Sequence, residues 1–191
     1  MKKIKKYLKK KLTKDRYQHT LGVAATAACL AMRYNPDPDT SFFLQKAYLA
    51  GLLHDSAKCM EHEKKIQICL ENQIPVSDFE LENPFILHGK VGAYIAREKF
   101  DVSDEDILQS ITWHTTGRPG MSTLEKIIFI ADYIEPNRKP IKELDVIRQL
   151  AFVDLDRTMV KILGNTLDYL KDKGCPIDDM TQKTYDSYIN G

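Results

Sequence analysis

Four histidines and two aspartates stand where their side chains could bind a metal ion. The doublet His54-Asp55 follows an apolar helical segment at residues 47–53, so both side chains begin next to a core. Asp132 lies inside another apolar segment. A buried carboxylate beside an imidazole is costly unless it is paired or bound to a cation. Imidazole nitrogens and carboxylate oxygens suit hard or borderline divalent metals. The predicted ligands are His19, His54, Asp55, His88, His114 and Asp132.

Six ligands are too many for one metal ion that also keeps a position open for water, so they predict two metals per chain. Asp55 is the expected bridge, because it adjoins another ligand and has two oxygens. His62 is left out because it lies between Glu61 and Glu63 in a charged stretch. The cysteines contain no CxxC pair and only Cys59 lies near the doublet, so a thiolate zinc site is not predicted.

Cationic residues near these ligands indicate an anionic substrate. Arg16 precedes His19 by three residues, and Lys58 follows His54 by four. On a helix these spacings fall on one face, so each cation is expected beside a metal ligand. A single Lys or Arg is ordinarily a solvated charge, but two beside two ligands favour the binding of phosphate groups. Arg138 follows Pro136 on a turn beyond Asp132 and is a third candidate.

Helices are the elements that must position these residues, because no stretch alternates as a strand does. The segment that holds Pro75 and Pro84 is expected to be a loop, and Pro36 and Pro38 are expected to follow the end of a helix. Ser103 and Ser122 are the expected N-caps of two helices, and Pro140 is expected at a helix start. The predicted helices, beyond a lysine-rich one within residues 1–14, cover residues 15–34, 40–53, 61–72, 88–100, 103–113, 122–135 and 154–173. We therefore predict one all-α domain over residues 1–191.

Composition excludes several classes of protein. The chain is 43% hydrophobic and 29% charged, which is ordinary for a globular protein and not for a disordered or fibrous one. The longest apolar run, residues 21–32, is short of the roughly 20 residues that a membrane span needs. Lysines at positions 9–11 occupy the place of the apolar stretch of a signal peptide. The expected location is the cytoplasm, without a membrane partner.

The first fifteen residues contain eight lysines, for which two interpretations exist. A basic arm could contact RNA or an anionic membrane surface. Alternatively, the lysines form the solvated face of a helix whose apolar stripe, including Ile4 and Leu8, packs onto the domain. The second interpretation is favoured because the stripe is present, and because the net charge of +1 gives no global indication of nucleic acid binding.

Four sequence strings resemble a known family. They are HDSAK at residues 54–58, HGKVGA at 88–93, HTTGRP at 114–119 and IADYIEPNR at 130–138. With His19 before them, they resemble the HD-domain metal-dependent phosphohydrolases. Within these they look like the YqeK-type branch, the bacterial symmetrical diadenosine-tetraphosphate hydrolases. The resemblance covers about residues 10–191, and the four strings in order are specific although the His-Asp doublet alone is not.

The resemblance implies a single helical HD-domain bundle with a dinuclear metal site in its core. It implies iron as the metal, with manganese or another divalent ion as alternatives, and cleavage of diadenosine tetraphosphate into two ADP. The metal ligands of the family fall on the six predicted residues. Residues 175–191 are expected to close the nucleotide pocket. Nucleotide contacts are expected at Arg16, Lys58, His114, Thr115, Asp132, Arg138, Ile177, Asp178, Met180 and Thr181.

The expected mechanism is attack of a metal-bound hydroxide on a phosphoryl group, with Asp55 and Lys58 as the catalytic residues. Lys58 and Arg16 are expected to hold non-bridging oxygens, and Arg138 the diphosphate of the retained ADP half. ADP is a good leaving group, so a strong general acid is not needed.

Three alternatives remain open at this stage. The first is another HD phosphohydrolase, acting on deoxynucleotides or alarmones, and the second is an HD di-iron oxygenase. The third is a non-catalytic nucleotide-sensing or RNA-binding module with a working lysine-rich arm. The expected partners are a small nucleotide substrate and products such as ADP or GDP, with nucleic acid disfavoured. A second copy of the chain, in a homodimer, is a further candidate partner.

Overall fold

Eleven α-helices form the fold of the part of the chain that the structure describes. The structure is a computed structural model that describes residues 1–35 and 40–190. Over those residues it contains no strand, which confirms the all-α prediction. The helices are α1 (Lys2–Lys11), α2 (Lys14–Tyr34), α3 (Thr40–Leu53), α4 (His62–Glu71), α5 (Asp78–Glu82), α6 (His88–Phe100), α7 (Glu105–Thr112), α8 (Thr123–Ile134), α9 (Leu144–Ala151), α10 (Leu155–Asp172) and α11 (Asp179–Ile189).

Helix α3 occupies the centre of the fold, where it contacts α2, α6, α7 and α8. Its last residues, Leu52 and Leu53, are fully buried, as are Ile127, Ile128 and Ile130 of α8. The C-terminal end of α3 is thus part of the core, whereas its first turns reach the surface. Any side chain at the end of α3 therefore begins inside the protein.

Helix boundaries follow capping chemistry that the sequence partly predicts. The Ser122 hydroxyl accepts from the Glu125 backbone amide, and the Glu125 carboxylate accepts from the Ser122 amide, so the predicted capping box is confirmed. Helix α2 ends at Tyr34, as predicted, while Pro36 and Pro38 lie outside the described residues.

Two predicted helix starts are wrong. The N-cap of α7 is Asp104, not Ser103, because the Asp104 carboxylate accepts from two backbone amides of the first turn. Pro140 does not begin a helix: it lies in the loop before α9, whose N-cap is Glu143 in the left-handed conformation. The loop between Ile134 and Leu144 is thus longer than the sequence predicts, and it borders the metal centre described below.

Two helices were not predicted. Helix α5 lies in the expected loop, between Pro75 and Pro84, and begins with a capping box at Ser77. Five residues are too few to show helical periodicity. Helix α11 begins after Asp178, whose carboxylate accepts from the Met180 amide at 2.7 Å. The expected C-terminal contact segment is therefore the start of a helix.

Helix α1 packs onto the domain through its apolar stripe. Ile4, Leu8 and Leu12 are buried in the main hydrophobic core, whereas most of the lysines are exposed. Lys5 lies 5.5 Å above the Tyr48 ring. This arrangement agrees with a solvated lysine face. Among the helices that the structure describes, none has the length and apolar character to cross a lipid bilayer.

Candidate metal centre

The fold brings all six predicted metal ligands together from three helices and from the turns that follow two others. His19 lies on α2 and His54 immediately after α3, with Asp55 next to it. The other three are His88 at the first position of α6, His114 in the turn after α7 and Asp132 near the end of α8. All are buried except Asp132, whose side chain is 24% exposed. His62 is exposed on α4 and belongs to none of the ligand groups.

The two oxygens of Asp55 face different histidines. Oδ2 lies 3.4 Å from His54 Nε2 and 3.8 Å from His19 Nε2. Oδ1 lies 3.3 Å from His88 Nε2 and 3.7 Å from His114 Nε2. The ligands around Asp55 thus separate into two sets, as expected for a carboxylate that bridges two metal ions.

Asp132 joins the first of these sets. Its Oδ1 lies 2.9 Å from His19 Nε2 and 3.8 Å from His54 Nε2. We call His19, His54 and Asp132 with Asp55 Oδ2 the Oδ2 half, and His88 and His114 with Asp55 Oδ1 the Oδ1 half. The Oδ2 half therefore contains oxygens from two carboxylates, and the Oδ1 half an oxygen from one.

The outer nitrogens of three histidines are fixed by the backbone. In each of them Nδ1 lies 2.6–2.7 Å from the carbonyl oxygen three residues earlier, to which it donates a hydrogen bond. The opposite nitrogen, Nε2, then carries a lone pair that points toward Asp55. This arrangement fixes the tautomer that a metal ligand needs. The pairs are His54 with Gly51, His88 with Phe85 and His114 with Ile111.

A buried glutamate has the same role for the fourth histidine. His19 Nδ1 lies 3.1 Å from Glu135 Oε1, and the other carboxylate oxygen accepts from the Asn137 amide at 2.7 Å. Gly22 leaves room for this carboxylate, since a Cβ at that position would clash with Glu135 Oε2. Sequence reasoning missed Glu135, although it lies three residues after Asp132 and therefore on the same helical face.

Two of the four inner nitrogens, both in the Oδ2 half, have no hydrogen-bond partner among the described residues. Nε2 of His19 and Nε2 of His54 are buried without a hydrogen bond. Both face carboxylate oxygens, and a lone pair opposite a carboxylate is repulsive unless a proton or cation lies between them. The donor set therefore fits divalent cations bound by nitrogen and oxygen.

Protonation in the cluster also suits metal binding. Burial lowers the pKa of His88 well below its usual value, and the charges of Lys58 and His114 lower it further. Burial raises the pKa of Asp55, but the neighbouring imidazoles of His54, His114 and His88 hold it well below the ordinary value. A neutral imidazole and an ionised carboxylate are the forms that bind metals.

The three predicted cations all lie at the cluster. Arg16 Nη1 lies 2.8 Å from Asp55 Oδ2. Arg138 Nη2 donates to the Asp132 carbonyl at 2.8 Å and lies 3.3 Å from Asp132 Oδ1. Lys58 Nζ lies 3.2 Å from His88 Nε2. Arg16 and Arg138 thus border the Oδ2 half, and Lys58 borders the Oδ1 half.

A cleft of about 640 Å³ opens from the Oδ2 half. We call it the arginine cleft, lined among others by Arg16, Gln18, His19, Asn137, Arg138 and Lys139. It lies between the start of α2 and the loop after α8. The centre is therefore reached from solvent past two arginines.

A second cleft of about 460 Å³ opens beside the Oδ1 half. Thr115 connects it to the centre, because the Thr115 hydroxyl lies 3.3 Å from Nε2 of both His88 and His114. Asp178 and Met180 line this cleft, whereas Ile177 and Thr181 do not, and Thr181 is buried. We call it the tryptophan cleft, lined among others by Phe79, Ile86, Lys90, Trp113, Thr115 and Met180.

Residues 16–137 match the family model of the HD domain, a stretch that contains all six ligands. The chain belongs to the HD-domain family. This confirms the resemblance found in the sequence. The HD-domain chain is 40% identical, over 96% of its length and 95% of the relative, to a protein named bis(5'-nucleosyl)-tetraphosphatase, symmetrical, from Bacillus subtilis. It is 41% identical to a protein of the same name from Halalkalibacterium halodurans, over 95% of this chain and 93% of the relative.

The fold of this HD domain also occurs in a solved structure. It superposes with a TM-score of 0.92 on a Clostridium acetobutylicum protein described as a predicted HD superfamily hydrolase involved in NAD metabolism. The two chains are 41% identical, and the match covers 99% of this chain and 96% of the other. The predicted HD-type helical bundle is thereby confirmed.

Proposed function

We propose that this HD-domain protein hydrolyses diadenosine tetraphosphate and related dinucleoside polyphosphates symmetrically, which yields two ADP from diadenosine tetraphosphate. The observation that carries the proposal is the buried cluster in which the two oxygens of Asp55 face two separate sets of ligands, with three cations at its border. The names of the full-length relatives supply the substrate.

The proposed cofactor is a pair of divalent metals, with iron preferred and manganese as the alternative. The Oδ2 half would hold one ion and the Oδ1 half the other, with Asp55 as the shared ligand. Such a pair supplies a water molecule of lowered pKa and Lewis acidity toward phosphoryl oxygens. The mixed nitrogen and oxygen donors suit both metals.

Three cations of this chain are proposed to bind the polyphosphate. Arg16 and Arg138 lie where oxygens of a diphosphate would approach the Oδ2 half, and a guanidinium can bind such oxygens in a bidentate manner. Lys58 is proposed to stabilise negative charge that develops on the reacting phosphoryl group. One lone pair of His88 cannot serve both the ammonium group and a metal ion, so Lys58 is available to substrate in the loaded enzyme.

The nucleotide contacts extend from the centre into the tryptophan cleft. Thr115 is proposed to donate its hydroxyl hydrogen to a phosphate oxygen, and His114 and Asp132 to contact phosphate from their places in the centre. Asp178 and Met180 line the cleft where a nucleoside would lie. Ile177 and Thr181 are proposed as nearby contacts at the start of α11. A departing ADP is a stable anion at neutral pH, so a strong side-chain acid is not required.

The test combines anaerobic metal analysis with chromatography of products from a panel of dinucleoside polyphosphates, deoxynucleotides and alarmones. We expect about two metals per chain, and ADP as the sole nucleotide product of diadenosine tetraphosphate. ATP with AMP as products would contradict symmetric cleavage. Faster turnover of a deoxynucleotide or an alarmone would favour another HD phosphohydrolase, and oxygen consumption would favour an oxygenase.

A further inference from the structure

The two clefts beside the metal centre differ in the chemistry that they offer to a ligand. From this difference, and resting on the proposed function, we infer that the enzyme recognises its substrate from one end. The base of one nucleotide half binds in the tryptophan cleft, while the other half binds in the arginine cleft through its charge alone. A second nucleoside is then not required for turnover.

The tryptophan cleft offers an apolar and aromatic surface. Trp113 directly precedes His114, and its indole nitrogen donates to Gln109 Oε1 at 2.9 Å, which fixes the ring. Phe79, Ile86 and Met180 line the same cleft. Stacking of a base on an aromatic side chain stabilises a bound nucleotide without depending on its charge. This surface suits a purine ring.

The two cations of the tryptophan cleft, Lys90 and Lys183, are outnumbered by its carboxylates, which are Asp78, Glu80, Asp178 and Asp179. Lys90 Nζ donates to Glu80 Oε2 at 2.7 Å and to the Pro75 carbonyl at 2.7 Å. Its charge is therefore balanced within the protein. This part of the cleft is suited to an uncharged ring more than to a phosphate chain.

The arginine cleft has the opposite character. None of its described lining residues is Phe, Trp or Tyr, and its aliphatic member is Ile141. It contains Arg16, Arg138 and Lys139, and Lys139 is exposed at its rim. Two acids line this cleft: Glu135 is engaged by His19 and the Asn137 amide, and Asp15 is exposed. Positive charge without an aromatic surface favours binding of a polyphosphate chain, whatever group is attached to its end.

Polyphosphates that carry a single nucleoside, with a base that can stack on Trp113, should then also be substrates. Hydrolysis of adenosine 5'-tetraphosphate would then give ADP and pyrophosphate. In this step the oxygen of water bonds to the attacked phosphorus, and the bond from that phosphorus to the bridging oxygen breaks. The electron pair of that bond leaves with the second diphosphate. No oxidant or other co-reactant is needed.

The sharpest test uses adenosine-tetraphospho-uridine in water labelled with oxygen-18. The label enters only the product whose phosphorus is attacked, so mass spectrometry of ADP and UDP reports how the substrate was oriented. Because adenine stacks more strongly than uracil, we expect one product to contain roughly five-fold or more of the label. Equal label in the two products, with normal turnover, would overturn the inference while leaving the proposed function intact.

Variants of Trp113 test whether the tryptophan cleft determines the ratio of label in ADP and UDP. Trp113→Ala should bring the two products close to equal labelling, whereas Trp113→Phe should keep most of the preference. Both ratios are independent of how much enzyme remains folded. A preference that persists unchanged in Trp113→Ala would show that another surface reads the base. If diadenosine tetraphosphate yields no ADP at all, the proposed function itself is wrong.

A binding measurement provides a readout without turnover. Trp113 is the only tryptophan of the chain, and it lines both this cleft and a neighbouring one of about 620 Å³, so its fluorescence reports on ligands that bind on either side of its ring. We expect a saturable change on titration with ADP and none with pyrophosphate. Fluorescence that ADP leaves unchanged at concentrations that inhibit turnover would contradict base binding at Trp113.

Substitution of Lys139 tests whether the arginine cleft recognises its ligand through charge. Lys139→Ala should raise the KM for adenosine 5'-tetraphosphate and for diadenosine tetraphosphate by a similar factor of a few, without altering the label ratio. Lys173→Ala, an exposed lysine at the end of α10, is the control and should change neither. An effect of Lys139→Ala on the dinucleotide alone would mean that this cleft recognises the second nucleoside.

Discussion

The two halves of the metal centre share Asp55 but are built differently. The Oδ2 half contains two carboxylates, opens to the arginine cleft and has Arg16 and Arg138 at its border. The Oδ1 half contains His88 and His114, both of which are oriented by backbone carbonyls and buried. The Oδ2 half is therefore more anionic, and one of its two histidines, His19, is oriented by a side chain. Both histidines of the Oδ1 half are oriented by the backbone.

This difference indicates how the two sites should behave. Divalent cations bind more tightly where two carboxylates contribute, so we expect the ion of the Oδ2 half to be the more tightly bound. In the Oδ1 half, the Lys58 ammonium competes with a metal ion for the lone pair of His88 Nε2. We expect its ion to be the first to leave on chelation.

The largest effect is expected from the residue that the halves share. Asp55→Ala should lose both metals and nearly all turnover, because each half loses its common oxygen ligand. Circular dichroism should show that the helices persist, and elemental analysis should count the metals. Near-normal activity of this variant in added iron or manganese would contradict the bridging assignment.

The next substitution separates the two halves. His88→Ala should lose the ion of the Oδ1 half and retain about one metal per chain, because the ligands of the Oδ2 half are untouched. His62→Ala, at an exposed histidine outside the cluster, is the matched control and should retain two. One metal per chain in both the unaltered protein and His88→Ala would exclude a dinuclear centre.

A cation at the Oδ1 half should affect turnover more than metal content. Lys58→Ala should retain metal and lose on the order of 10²-fold in turnover, since one electrostatic contact to the reacting group is removed. Lys64→Ala, in the nearby charged helix α4, should have no effect. Equal and small effects in steady-state kinetics of the two variants would make Lys58 an ordinary solvated lysine.

The clustering of the six predicted ligands could be inferred in part from the sequence. His54-Asp55 and Asp132 are polar residues beside or within apolar helices, so their burial in one core was predictable. Lys58 lies at the cluster as predicted, but the predicted reason was wrong, because residues 54–59 form turns and not a helix, and the ammonium faces His88 and not His54. Which oxygen of Asp55 faces which histidine was not predictable, since it depends on how helices distant in sequence cross.

The clefts were the least predictable part. Helix α5 is too short for periodicity, and α11 is polar, so the walls that they give to the tryptophan cleft were not visible in the pattern. Trp113 had no sequence signal beyond its place before His114. The loop at Pro140 was misread because a proline at a helix start and a proline in a loop look alike in sequence.

The smallest effect is expected from Glu135, which orients a ligand of the Oδ2 half without binding metal. Glu135→Gln should keep two metals at saturation but weaken the affinity of one by roughly 10–100-fold, because the partner of His19 Nδ1 loses its charge. Glu125→Gln is the matched control, a buried glutamate of the region around α8 that pairs with Arg118 and contacts no ligand. It should lower the melting temperature and leave metal affinity unchanged in a chelator competition titration. Equal losses of metal affinity in the two variants would mean that Glu135 acts through the stability of the fold and not through His19.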